Sequence, residues 1–167
     1  MRFHAAYEEC KEAVYGYLYY MTKDVQLAED LSQETFLKIY LNIGKYKEKS
    51  SVKTWALKIA HNVFCTYARK KQPILLEEQS FDVIPSIEYQ PESNVIHKEE
   101  EVLIRNIMLS LREQERTILL LRDYEDLKYE EIAQLLNLSI DVVKVRIHRA
   151  RQKFQKYYIA ATQSQNL

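Results

Sequence analysis

The residue types best suited to chemistry in this chain are concentrated in Val142–Phe154, "VVKVRIHRARQKF". Lys144, Arg146, Arg149, Arg151 and Lys153 fall there with no acid among them. Ammonium and guanidinium groups hold phosphates, and long donors reach base edges in a duplex groove. A solvated helix usually mixes both signs so that residues four apart pair, yet no acid follows Asp141. At about 100° per residue, Val143, Ile147, Ala150, Phe154 and Tyr157 share one side. Lys144, Val145, His148, Arg149, Gln152, Gln155 and Lys156 share the other, with Arg146 and Arg151 on its shoulders. An outward valine among cations suits contact with a thymine methyl. This pattern predicts a helix face that reads DNA.

A second cluster surrounds "GKYKEKSSVKTW", where Lys47, Lys49 and Lys53 lie between the aromatics Tyr46 and Trp55 and Lys45 just precedes them. Aromatic faces stack unpaired bases while lysines hold the backbone. The plainer alternative makes Tyr46 and Trp55 core residues and the lysines solubilising. Other chemistries find less support. His61 and Cys65 are four apart, as two zinc ligands on a helix would be, but His4, His97, His148 and Cys10 supply no matching spacing. There is no glycine-rich phosphate loop and no local nucleophile motif, so the expectation is a protein that is not an enzyme and needs no cofactor or metal.

The elements that carry these groups can be read from punctuation and periodicity. All three prolines, Pro73, Pro85 and Pro91, fall within 72–93, a stretch with Glu77, Glu78, Asp82, Glu88 and Glu92 and no base. Proline removes a donor and disfavours helix in the residue before it, so 72–93 reads as an acidic, flexible linker between modules 1–71 and 94–167. No useful strand-like alternation occurs, and the expected fold is all-α with two small helical domains. Net charge is zero, 24 bases against 24 acids, so local clustering must decide any polyanion argument.

In the first module, Ala6, Tyr7, Cys10, Ala13, Val14, Tyr17, Leu18 and Met21 mark one amphipathic helix. A second spans about Asp24 to Ile43 with a core stripe of Ala28, Leu31, Thr35, Ile39 and Ile43. Its other side collects Asp30, Gln33, Glu34, Leu37 and Leu41, either a partner surface or a face covered by a neighbouring helix. A third should begin after Ser50 or Ser51 and end before Pro73, with Trp55, Ile59, Val63 and Tyr67 as its apolar stripe. In the second module, Ser110 with Glu113 reads as a capping box opening "LREQERTILLLRDY". A short helix ending at Leu136, the break Asn137-Leu138-Ser139 and a long helix capped by Ser139 then form a helix-turn-helix. Two cysteines are too few for a disulfide framework. With no signal-peptide pattern in "MRFHAAYEECKEAV" and no spanning segment of about 20 apolar residues, the expected location is cytoplasmic, without membrane insertion.

Three segments in order resemble one family, the extracytoplasmic-function type of bacterial sigma factors in the sigma-70 superfamily. "AEDLSQETFLKIY" resembles its core-polymerase-binding segment, "SSVKTWALKIAHNVFCTYARKK" its promoter-melting segment, and Leu111 to Phe154 its promoter-reading domain. The resemblance implies that Asp30, Gln33, Glu34 and Leu37 contact the clamp coiled coil on the beta-prime subunit of core RNA polymerase. It implies that Tyr46, Lys47, Lys49, Lys53, Trp55, Lys58, His61 and Asn62 open the start-proximal promoter element and hold a flipped base. Lys144, Val145, Arg146, His148, Arg149, Arg151 and Gln152 would read the upstream element as duplex. The implied partners are core RNA polymerase, promoter DNA and an anti-sigma factor, possible forms of which include membrane-anchored ones, and the implied regulon is a stress response. His61 stands where the family usually has Arg, and Asp141, Val142 and Val145 replace its common Gly, Thr and Ser. Two rival readings use the same basic helix: a helix-turn-helix regulator that is not a sigma factor, and a helical anti-sigma-like adaptor.

Overall fold

The computed structural model describes residues 2–71 and 95–165, and the predicted linker 72–93 lies outside them. The described residues form seven α-helices and no strand. They are α1 (Phe3–Thr22), α2 (Val25–Asn42), α3 (Val52–Lys71), α4 (Val95–Ser110), α5 (Glu113–Leu119), α6 (Tyr129–Leu136) and α7 (Ile140–Gln165).

The first three helices pack into one bundle because each carries a buried stripe at helical spacing. On α1 that stripe is Ala6, Cys10, Val14, Tyr17, Leu18 and Met21; Tyr7 and Ala13 of the expected stripe lie outside it. On α2 Ala28, Leu31, Thr35 and Ile39 are buried as expected, joined by Ser32 and Phe36. Ile43 instead lies half-buried in a 3-10 turn. Asp24 caps α2 by accepting from the Leu27 amide at 3.0 Å, and Ser51 does the same for α3 by accepting from Thr54 at 3.1 Å.

The buried face of α3 differs from the expected one. It is formed by Val52, Ala56, Leu57, Ala60, Val63 and Phe64, whereas Trp55, Ile59 and Tyr67 are half-buried at its edge. Alanines at 56 and 60 let the α3 backbone approach the bundle closely, which a Trp55–Ile59 stripe would prevent.

In the second module the expected start at Ser110 is displaced. The Ser110 hydroxyl donates back to Ile107 O at 2.7 Å and belongs to the end of α4. The N-cap of α5 is Arg112, whose amide is accepted by Glu115 at 3.0 Å, so Glu115 rather than Glu113 reaches back. α5 is also shorter than "LREQERTILLLRDY" suggests. It passes into a π turn over Leu120–Tyr124, closed by the Glu125 amide on Leu120 O at 2.9 Å. Lys128 at the start of α6 is explained likewise: Glu131 accepts its amide at 2.9 Å, so no capping hydroxyl is required.

The turn between α6 and α7 has Asn137 in the left-handed region, φ 54 and ψ 50. Asparagine tolerates that conformation better than most side chains. Ser139 then caps α7 by accepting from Val142 at 3.3 Å. The two modules share one continuous apolar cluster, with α1 against α5 and α3 against α6.

Val143, Ile147 and Ala150 seat α7, and Val145 stands outside at 46% exposure. Ile147→Ala should therefore cost about 2–5 kcal/mol in urea unfolding of the full chain. Val145→Ala should stay within about 0.5 kcal/mol.

Candidate nucleic-acid and polymerase surfaces

The rotation of α7 decides which of its bases meet solvent. With Val143, Ile147 and Ala150 buried, Lys144, Val145, His148, Arg149, Gln152, Gln155 and Lys156 are all exposed, and Arg146 is half-exposed. The face is thus presented as its periodicity predicts. Two bases of α7 are engaged within the fold. Arg151 makes a two-pronged contact with Asp123, with Nε to Oδ2 at 3.1 Å, and that carboxylate holds its guanidinium above the ordinary value. Lys153 pairs with Glu115 at 3.0 Å, which ties α7 to the start of α5. Lys144, Arg146, Arg149 and Lys156 are the bases left along the outer face.

The loop before α3 brings Tyr46 and Trp55 together, with ring centroids 5.1 Å apart and tilted by 37°. The Tyr46 hydroxyl donates to Ser50 O, which folds the loop back on itself. Neither aromatic is a core residue, and neither is a free platform. Lys47, Lys49 and Lys58 are exposed around them, as is Asn62. One edge of Trp55 lines a cleft of about 350 Å³ with Lys38, Asn42, Lys45, Ile59 and Asn62. Sequence reasoning missed Lys38 and Asn42 as members of this group. They lie four apart on α2 and follow Glu34 by the same interval, so a projection of that helix alone could have found them.

His61 is set apart from the loop. Its Nδ1 lies 2.8 Å from the Tyr17 hydroxyl and its Nε2 3.4 Å from Cys65 Sγ. Burial raises the Tyr17 phenol and lowers the His61 imidazole, so the two groups meet in their neutral forms. Both ring nitrogens are used inside the first bundle. Lys53 and Thr54 also point to protein partners, Glu125 and Glu131 of the second module.

On α2 no other described helix covers the mixed face. Asp30, Gln33 and Glu34 are exposed, and Leu37 and Leu41 are 58% and 66% exposed. Tyr40, also exposed, extends this apolar strip toward a groove between α1 and α2 lined by Phe3, Tyr7 and Phe36. Glu34 pairs with Lys38 at 3.2 Å on the same helix. Such an apolar strip rimmed by carboxylates is the composition of a protein interface.

Residues 6–74 match Sigma-70 region 2, and residues 101–154 match Sigma-70, region 4. The chain is 34% identical over 154 residues to the ECF RNA polymerase sigma factor SigM of Bacillus subtilis (strain 168), covering 91% of this chain and 92% of that one. It is 30% identical over 152 residues to RNA polymerase sigma factor YlaC of the same organism, covering 90% and 88%. The chain belongs to the ECF group of sigma-70 factors.

Its fold agrees with that assignment. The sigma factor RpoE from Bartonella quintana, solved with the anti-sigma factor NepR, matches with a TM-score of 0.70 at 21% identity, over 87% of this chain and 89% of that one. CnrH, solved with the cytosolic domain of CnrY, matches with a TM-score of 0.68 at 17% identity, over 95% and 88%. As a sigma factor the protein serves transcription initiation, and its partners are core RNA polymerase and promoter DNA. Among the described residues no helix is long and apolar enough to cross a membrane, and no three His, Cys, Asp or Glu side chains cluster to hold a metal.

The internal role of His61 gives a pH signature. A histidine whose folded-state value lies below its unfolded one binds fewer protons when folded. Its contribution is therefore fully present above the ordinary imidazole value of 6.5 and is lost as pH falls below that value through the lower folded-state one. Urea midpoints of the intact protein should fall across that window, and His61→Gln should flatten the fall.

Proposed function

We propose that this sigma factor divides promoter recognition between its two modules, 1–71 and 94–167, and acts without catalysing any step itself. The observation that carries the reading is the outer face of α7, acid-free and turned to solvent by the burial of Val143, Ile147 and Ala150. On this reading Lys144, Arg146 and Arg149 hold phosphates and base edges of the upstream element. His148 and Gln152 add shorter-range donors, and Val145 meets a methyl group. Arg151 acts through Asp123, fixing the angle of the helix, and reaches a phosphate only when that pair opens.

Melting of the start-proximal element falls to the first module. Trp55, backed by the Tyr46 ring, closes one side of a cleft large enough for a base, with Asn62, Asn42 and Lys45 around its rim. Lys47, Lys49, Lys53 and Lys58 would hold the backbone on either side. Unstacking a base costs a few kcal/mol, and capture in such a cleft offsets that cost. His61, engaged by Tyr17, has a structural role on this reading and holds the middle of α3 against α1.

Asp30, Gln33, Glu34 and Leu37, with Tyr40 and Leu41, form the polymerase-binding surface, facing the clamp coiled coil of the beta-prime subunit. An anti-sigma protein is proposed as the controlling partner, supported by the complexes in which RpoE is seen with NepR and CnrH with CnrY. The work is cytoplasmic because promoter DNA is there, and the regulon proposed is a stress response, as the resemblance to this group implies.

Start-specific transcription by purified protein with core polymerase tests the whole reading. A regulator would alter transcription only with another sigma factor present, and an adaptor would block it. Within that assay Arg149→Ala should weaken promoter binding by about 1–3 kcal/mol and leave polymerase affinity unchanged. Glu34→Arg should reverse the pattern, weakening polymerase binding while leaving α7 competent for duplex DNA. Equal polymerase affinity in the Glu34→Arg variant would refute the α2 assignment.

A further inference from the structure

The two shoulders of α7 are not alike. Arg146 and Arg151 flank the outward face, yet among the described residues no acid meets Arg146, whereas Arg151 is bound by Asp123. The guanidinium uses two nitrogens, Nε toward Oδ2 at 3.1 Å and Nη2 toward Oδ1. A planar fork set against two oxygens is also how arginine takes a phosphate, so the pair uses up the donors that backbone contact would need.

The carboxylate is held in place by the turn that carries it. Leu120 and Leu121 are buried at the start of the π turn Leu120–Tyr124, and Asp123 lies on its exposed side. Its neighbour Arg122 anchors the turn, donating from Nη1 to Leu127 O at 2.8 Å with its guanidinium 5.0 Å from the centre of the Tyr129 ring. The other internal pair of α7 is of a different kind. Lys153 is half-buried, and the Glu115 that meets it is already fixed by accepting the Arg112 amide. Lys153 thus belongs to the packing of α7, while Arg151 and Asp123, with side chains 48% and 41% exposed, belong to its surface.

An exposed pair is weak, so a phosphate can compete for the arginine. It cannot remove the carboxylate, which stays on the same anchored turn. Affinity for the DNA backbone follows the positive charge brought to it, because each phosphate neutralised releases condensed counter-ions. Arg151 together with Asp123 brings none. Lys144, Arg146, Arg149 and Lys156, which meet no acid among the described residues, bring their full charge.

We propose that Asp123 is a built-in counter-ion that bounds the duplex footprint of α7, cancelling Arg151 at one edge and so limiting the sequence-independent part of DNA affinity. The inference rests on the reading of α7 as a duplex surface. The backbone is then gripped toward the Arg146 shoulder and released toward the π turn. Asp123 is a positioning residue that touches no base. Limiting the phosphate contacts leaves a larger share of affinity to base-edge contacts, which carry sequence.

The test is the salt dependence of binding by the full chain to a fluorescent mixed-sequence duplex, read as the slope of log K against log salt. The pair is neutral, Asp123→Asn leaves a net positive charge, Arg151→Gln leaves a net negative one, and the double variant is neutral again. Asp123→Asn should steepen the slope by about 0.9, so that the affinity lost between about 50 and 200 mM salt grows about 3–4-fold. Arg151→Gln should flatten the slope, and the double variant should match the unaltered chain. An arginine that exchanged its partner for a phosphate would give another pattern, with the slope unchanged in Asp123→Asn and flattened in both Arg151 variants; that result overturns the proposal. A pair that only braces α7 would lower the urea midpoint and leave every slope unchanged, which overturns it as well. Lys144→Ala and Arg149→Ala report on the underlying reading, and each should flatten the slope by about 0.9. If neither does, the duplex reading of α7 fails. If both do while Asp123→Asn behaves as the unaltered chain, the counter-ion alone fails.

Discussion

The burial of one stripe of α1 is the constraint from which the arrangement of both modules follows. Cys10, Val14, Tyr17 and Leu18 are almost wholly excluded from water, and α1 packs against α2, α3, α4 and α5. A helix buried on so many sides must satisfy any polar group it carries inward. Tyr17 carries a hydroxyl, and His61 supplies its hydrogen-bond partner across 44 residues of sequence. That pairing orients α3, and the orientation of α3 turns Trp55 and Asn62 outward while Ala56 and Ala60 face the core. His61 is thus part of the internal support of α3.

Charge balance in this protein is a local matter. The chain has no net charge, yet its bases gather on α3, its preceding loop and α7. Several of these bases meet acids from elsewhere in the fold: Arg151 meets Asp123, Lys153 meets Glu115, and Lys53 meets Glu125. The exposed pair Arg151–Asp123 contributes little stability, typically about 0–1 kcal/mol. A further effect of these pairs is to set which bases lack an acidic partner. On α7 that leaves Lys144, Arg146 and Arg149 on the outer face, between the exposed turn at Asn137 and the paired Arg151.

Much of this was legible in the amino-acid order, and particular residues show why. The helix-turn-helix could be read because its signals are local: an asparagine suited to a left-handed turn, Ser139 ready to cap, and apolar residues at helical spacing in α7. The uncovered strip on α2 could be read only as an ambiguity, since periodicity puts Leu37 and Leu41 on one face without saying what lies opposite. The face of α3 was misjudged for a related reason. Two adjacent apolar stripes run along it, and size alone favours Trp55 and Ile59 over the alanines that the close packing selects. The start of α5 was misplaced because Glu113 and Glu115 are both placed to cap a preceding residue, and only the path of the chain chooses between them.

Sequence by itself determined the helical class, the order of the modules, the basic outer face of α7 and the family, because each depends on residues within a few turns of one another. Tertiary structure decided which acids meet which bases, which side of α3 is wet, and that Lys53 and Thr54 are held by the other module. Those contacts join residues 72 and 77 positions apart. No local propensity encodes such a pairing; it arises only when burial of α1 brings α5 and α6 against the first bundle.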